Sequence, residues 1–294
     1  MNIEIKTNSG KAWFLAARPK TLTGACIPVI ISTALAYADD VFKWQPALLC
    51  LLFAGLMQIA ANFINDLFDF LKGTDRSDRL GPERACAQGW ITTEAMKTGI
   101  AVTLCTACAV GLLLLNWGSL WLIALGATCV VFAFLYTTLL SYLGLGDLLV
   151  LFFFGFVPVL GTYYVQSGTV TYSCFLCAVI SGLIIDLLLI INNYRDRDTD
   201  CKSGKRTLIA LLGERFGNRQ YLITGCLAWA CCLWFVWHQH IWAFVLPTIF
   251  IPLHIKTWRE MIRIHEGKAL NGILGKTSRN MFLFALLVSV GLII

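Results

Sequence analysis

Polar residues along this chain come in blocks, separated by nine apolar runs that lack the alternation of half-buried strands. The runs cover about 21–38, 46–64, 97–115, 119–140, 147–166, 172–192, 221–237, 241–255 and 280–294. As helices, runs of ~20 apolar residues match the hydrocarbon core of a bilayer, and their continuity argues against an outer-membrane barrel. The pattern predicts an all-α polytopic membrane protein: nine transmembrane helices in a bundle with a central cavity, one domain over residues 1–294. The seventh and eighth runs are short and rich in Trp (Trp229, Trp234, Trp237, Trp242), so their limits are the least sharply drawn.

Composition agrees. The chain is 58% hydrophobic and 14% charged, with a mean hydropathy of +0.73, whereas soluble domains carry about 25% charged residues. With the N-terminus inside, the inner segments are 1–20, 65–96, 141–146, 193–220 and 256–279. To within a residue, at Lys97, they hold every one of the 23 Lys and Arg except Lys43. That asymmetry predicts an inner or plasma membrane protein with its N-terminus and long loops cytoplasmic. The net charge of +6 is then topological and calls for no nucleic acid; its partner is the lipid bilayer. Most of the 12 cysteines lie in apolar runs and read as packing residues. Cys105-x-x-Cys108 lacks the second pair a zinc site needs. Residues 1–20 are largely polar and no cleavable signal peptide is expected.

Two polar blocks follow the second and sixth runs: Asn65-Asp-Leu-Phe-Asp-Phe-Leu-Lys-Gly-Thr-Asp75 and Asn192-Asn-Tyr-Arg-Asp-Arg-Asp-Thr-Asp200. In each an Asn precedes an Asp by four residues, Asn65 with Asp69 and Asn192 with Asp196, which places both on one helix face. The blocks hold equivalent places in two four-span units, a parallel internal repeat that would face them across the cavity. Carboxylates from two helices suit Mg²⁺, which takes oxygen ligands and shares them with substrate phosphates. Arg76, Arg79, Arg84, Arg195, Lys202, Lys205 and Arg206 would neutralise the remaining phosphate oxygens.

A diphosphate held at the membrane surface above an apolar bundle points to a polyprenyl diphosphate. Its ionisation leaves an allylic cation that needs a chamber shielded from water. Phe134, Tyr136, Phe152, Phe153, Phe154, Tyr163 and Tyr164 are candidate cation–π partners, though aromatics in spans mainly supply packing. Asp78 and Asp198 read equally well as solvated ion pairs. Asp186 lies inside the sixth run, where a carboxyl costs ~2.5–3.5 kcal/mol on insertion scales and needs a partner or a cavity. Residues 256–279 read either as an interfacial amphipathic helix or as a solvated loop.

At these residues the chain resembles the UbiA superfamily of intramembrane aromatic prenyltransferases. The resemblance runs through Ala17–Leu22, Asn65–Asp75, Gly81–Arg84, Tyr136-Thr137, Gly144–Asp147, Gly161–Gln166, Asn192–Asp200 and Gly204–Leu208. It implies nine spans and two Asp-rich motifs that bind Mg²⁺ and prenyl diphosphate. The first motif falls on Asn65, Asp69 and Asp75, with Asp66 as an additional metal ligand. The second falls on Asn192, Asp196 and Asp200. Lys205 and Arg206 are assigned to diphosphate, Arg84 and Tyr136 to substrate, and Asp147 to contact with or deprotonation of the aromatic acceptor. The branch it resembles prenylates 1,4-dihydroxy-2-naphthoate with decarboxylation, giving demethylmenaquinol. Competing expectations are another acceptor (4-hydroxybenzoate, homogentisate, haem or chlorophyllide) and a secondary transporter. A CDP-alcohol phosphotransferase would need an Asp-Gly-x-x-Ala-Arg signature that the chain lacks.

Overall fold

The computed structural model describes residues 5–73, 80–138 and 144–294, and every regular element among them is a helix. A short α1 (Gly10–Ala17) precedes α2 (Pro19–Ala38), α3 (Trp44–Leu71), α4 (Thr93–Leu113) and α5 (Trp121–Thr138). Then α6 (Gly146–Val150) runs through a π-helical turn, Leu151–Phe156, into α7 (Val157–Ser167). The 31-residue α8 (Tyr172–Lys202) is followed by α9 (Leu208–Leu212), α10 (Glu214–Cys231), α11 (Trp234–Trp237), α12 (Trp242–Val245), α13 (Phe250–Ile264) and α14 (Leu270–Ile293). Side-chain oxygens of Ser9, Thr92, Thr171 and Thr207 cap the starts of α1, α4, α8 and α9 by accepting from backbone N–H groups.

Seven segments among the described residues are long and apolar enough to cross a membrane. Over the described residues each of the nine expected runs falls largely on helix, but two fall short of that measure. The fourth is the shorter apolar helix Trp121–Tyr136. The eighth is broken by a 3₁₀ turn at Leu246–Ile249 that contains Pro247, and α13 beyond it carries Lys256, Arg259 and Glu260. Proline removes a helical donor and clashes with the preceding turn, so composition alone hid the break. Residues 256–264 continue that helix and are not a loop.

The central element is α8. Its apolar window is 67% buried, against 17% for α4, which shows its apolar surface to the surroundings. Around α8 pack α2, α7, α10, α14 and the π-helical turn. The closest approach is at Gly155 and Gly182: a Cβ on Gly155 would lie 2.5 Å from the Ala178 carbonyl oxygen, and one on Gly182 3.0 Å from Leu151 Cα. Pro158 has no N–H for the Phe154 carbonyl, and Ser181 Oγ of α8 supplies the missing donor at 2.9 Å. Ser32 Oγ of α2 likewise donates to the Val159 carbonyl at 2.7 Å. Packing and repaired hydrogen bonds thus hold α6 and α7 at a fixed height along α8.

Candidate active site

Asn65 to Asp69 of the first motif and Asn192 to Asp200 of the second lie on the last turns of long helices, not in loops: α3 continues to Leu71 and α8 to Lys202. In the first motif the side chains divide their tasks. Asn62 Nδ2 donates to the Ala17 carbonyl and to Thr21 Oγ1, both at 2.9 Å, and docks the α1–α2 corner onto α3. Asp66 is buried, and its carboxylate accepts from the backbone N–H groups of Ala85 at 2.9 Å and Cys86 at 2.8 Å. Arg18, in the left-handed conformation between α1 and α2 (φ 51°), reaches to 3.8 Å of the same carboxylate.

The expected additional metal ligand Asp66 thus faces a backbone loop. Asp69, partly exposed, meets Arg84 at 2.6 Å, and Arg84 Nη1 also donates to the Asn65 carbonyl at 2.5 Å. Asp75, with Arg76, Asp78 and Arg79, lies outside the described residues.

In the second motif Arg195 grips Asp196 with two hydrogen bonds, Nε to Oδ1 at 2.8 Å and Nη2 to Oδ2 at 2.6 Å. Its Nη1 donates to Asn271 Oδ1 at 2.7 Å, and Asn271 Nδ2 donates to the Leu80 carbonyl at 2.8 Å. Four residues along from Asp196, Asp200 is 3.7 Å from Lys205 Nζ, and its Oδ2 is buried with no hydrogen-bond partner among the described residues. Asn192 is half-buried, and Arg206 is exposed. Asp198 turns elsewhere: it is exposed and lines a separate cleft of about 360 Å³ with Arg197, Glu214 and His265. Arg197 there donates to the carbonyls of Tyr194 and His265 and so joins α8 to the end of α13.

A second, narrower cleft joins Lys205 and Asn193 to Tyr136 and Asp147. Gln220 Nε2 of α10 donates to Asp147 Oδ1 at 2.5 Å. Asp186, buried on α8, lies one turn before Leu189, which lines this cleft beside Asp147. The cleft thus sets Tyr136 and Asp147 beside Lys205, whose Nζ pairs with Asp200 of the second motif.

The candidate aromatics disperse. Phe134 packs edge-on against Phe68, next to Asp69. Tyr163 instead donates to Asp39 at the opposite end of the bundle, and Tyr164 pairs there with Ser119 and Trp121.

The donors present fit Mg²⁺. Among the described residues no three carboxylate, thiol or imidazole groups converge tightly enough to enclose an ion. Mg²⁺ needs less, since it keeps waters and binds through one or two carboxylates plus substrate phosphates. The bare, buried Oδ2 of Asp200 is an oxygen of the right kind without another task.

Two residues here went unnoticed in the sequence: Asn271 sits in a segment that reads either as an interfacial helix or as a loop and in fact opens α14, and Gln220 lies at the polar edge of an apolar run. Arg18 falls within the Ala17–Leu22 resemblance, but nothing there gave it a role.

The UbiA prenyltransferase family profile matches residues 25–286. Over 296 residues the chain is 36% identical to 1,4-dihydroxy-2-naphthoate octaprenyltransferase of Escherichia coli (strain K12), covering 96% of this chain and 95% of that protein. The apo structure of a UbiA homolog from Aeropyrum pernix K1 superposes with a TM-score of 0.67 at 17% identity, over 91% of this chain and 96% of the other. A UbiA homolog from Archaeoglobus fulgidus bound to DMAPP and Mg²⁺ gives a TM-score of 0.55 at 13% identity, over 95% of this chain and 99% of the other.

Proposed function

The chain belongs to the UbiA prenyltransferase family and is a multi-pass membrane prenyltransferase, and we propose that it moves a polyprenyl group from polyprenyl diphosphate to 1,4-dihydroxy-2-naphthoate. The observation that carries the choice of acceptor is the 36% identity, over nearly the whole of both chains, to an enzyme named for that acceptor.

The residues divide the work between two ends of one site. Asp69, Asp196 and Asp200, with Asp75, are the ligands for Mg²⁺; Mg²⁺ offsets diphosphate charge and makes diphosphate a better leaving group. Asn65 and Asn192 share helix faces with Asp69 and Asp196 and orient the same headgroup. Arg84 and Arg195 neutralise Asp69 and Asp196 when no diphosphate is bound and turn toward its oxygens when it is, a bidentate role that suits guanidinium. Lys205 and Arg206, just after the second motif, bind the outer phosphate.

Below them, in the cleft with Tyr136, Asp147 contacts the acceptor and takes its hydroxyl proton. Tyr136 and the Phe68–Phe134 pair offer aromatic faces that exclude water from the cation. Loss of the carboxylate as CO₂ then restores the aromatic ring and gives demethylmenaquinol, and the Lys and Arg asymmetry supports a cytoplasmic motif face.

The test is prenyl transfer in membranes carrying the chain, with labelled polyprenyl diphosphate and Mg²⁺. Naphthoate is compared with 4-hydroxybenzoate and homogentisate, beside Asp69→Ala and Asp196→Ala. Mg²⁺-dependent transfer to naphthoate alone, lost in both variants, is the expected result. Transfer only to another acceptor overturns the pathway and keeps the chemistry.

A further inference from the structure

Asp186 is a buried carboxyl with no task in the mechanism above. It sits six residues, ~9 Å along the helix, before Asn192, and is 7% exposed. Its Oδ1 reaches no hydrogen-bond partner among the described residues. One turn along α8 from Asp186, Leu189 meets the start of α6, 3.0 Å from where a Cβ on Gly146 would sit, and there stands a second carboxyl, that of Asp147, which accepts from Gln220 Nε2. The height of α6 against α8 is fixed by the Gly155–Gly182 contact and by Ser181, so this juxtaposition is built by the fold. Two facing carboxyls in a low-dielectric site hold one proton between them.

We propose that Asp186 is the positioning residue of Asp147: it keeps the proton of the pair and donates it as a hydrogen bond to the Asp147 carboxylate. The Gln220 amide donates from the other side, and the two together aim that carboxylate at the acceptor. The inference rests on the reading of Asp147 as the acceptor-side base. The better buried member of the pair, Asp186, is the one that stays neutral, and Asp147, half-exposed at the cleft, is the one that reacts.

In the step itself a ring carbon bonds to the prenyl carbon while the prenyl C–O bond breaks, its electron pair leaving on diphosphate. The acceptor's O–H bond breaks as its oxygen becomes a carbonyl, and the proton passes to Asp147. Gln220 Oε1 and Asp186 Oδ1, both buried acceptors without partners among the described residues, suit an acceptor that presents hydroxyl donors.

The test uses the full-length protein in lipid nanodiscs and compares Asp186→Asn with Asp186→Ala. An Asn can donate as the protonated carboxyl does, so Asp186→Asn keeps kcat within ~3-fold of wild type. Asp186→Ala removes the donor and lowers kcat by ~10-fold or more, with KM for prenyl diphosphate unchanged. The groups around the Asp147 carboxyl are Asp186 from α8, Gln220 from α10, Tyr136 from α5 and Lys205 beyond α8. Losing one donor disfavours the charged form of Asp147, so the acid limb of kcat/KM moves to higher pH in Asp186→Ala and stays in place in Asp186→Asn.

Wild-type kcat in Asp186→Ala overturns the inference. So does an Asp186→Asn variant as slow as Asp186→Ala, or a loss confined to KM for prenyl diphosphate. Asp186→Val, which refills much of the volume, replaces the Ala variant if that does not fold. Failure of the wild-type protein to prenylate any hydroxyaromatic compound overturns the function itself and this inference with it.

Discussion

Arg195 on α8 and Asn271 on α14 are joined by a 2.7 Å hydrogen bond, the first link of a path of contacts from the second Asp-rich motif towards the first. From Asn271 the chain of contacts runs to the Leu80 carbonyl, just before the loop whose amides hold Asp66 and whose Arg84 holds Asp69. Hydrogen bonds to charged groups contribute ~1.5–3 kcal/mol. Asn271→Ala is expected to raise KM for prenyl diphosphate by roughly 10-fold while the protein stays folded, as read by steady-state kinetics and a thermal melt. An unchanged KM would show that the motifs act independently.

Asp66 and Asp69 are three residues apart and are expected to fail in different ways. Asp66→Ala leaves two buried N–H groups unpaired, those of Ala85 and Cys86, and should cost ~2–5 kcal/mol of stability. Asp69→Asn should leave the melting temperature nearly untouched and abolish Mg²⁺-dependent transfer. Equal thermal loss in both variants sinks this division of labour.

Arg84 serves two acceptors at once, Asp69 and the Asn65 carbonyl. Lysine keeps the charge but loses the fork. Arg84→Lys is therefore expected to retain a measurable fraction of kcat/KM and Arg84→Ala to lose ~100-fold or more, as the loss of a charge-assisted contact predicts. Indistinguishable rates for the two would mean that geometry at this position is irrelevant.

Ser181 matters through a carbonyl it did not have to serve. Because Pro158 cannot donate to Phe154, Ser181→Ala strands a buried acceptor and should lower stability by ~1–3 kcal/mol. Restoring the helical donor with Pro158→Ala in the same chain should recover part of that loss. Melts of the single and double variants in detergent decide it, and strict additivity counts against the explanation.

Legibility in the sequence followed the kind of physics involved. Hydropathy is a sum over a window, so all nine runs could be read, and Asn65–Asp69 and Asn192–Asp196 could be set on one face because four-residue spacing is local. The break at Pro247 and the short fourth helix depend on where one turn ends, which a window blurs. The roles of Asp66 and Asn271 depend on which backbone groups arrive from far along the chain, from Ala85 in one case and Leu80 in the other. No spacing rule carries that. Asp186 is intermediate: its cost in an apolar run was legible, its partner Asp147 was not.

The 28 and 31 residues of α3 and α8 have one last consequence. At 1.5 Å per residue these rods are ~42 and ~46 Å long, against ~30 Å of hydrocarbon. Rods of that length are long enough to carry their final turns to the depth at which phospholipids hold their own phosphates. A lipid-borne diphosphate arriving by sideways diffusion is already at the right altitude, with its tail among neighbouring acyl chains and its head level with Asp69 and Asp196. Capture becomes a search in two dimensions, and the chain never has to lift its substrate out of the leaflet.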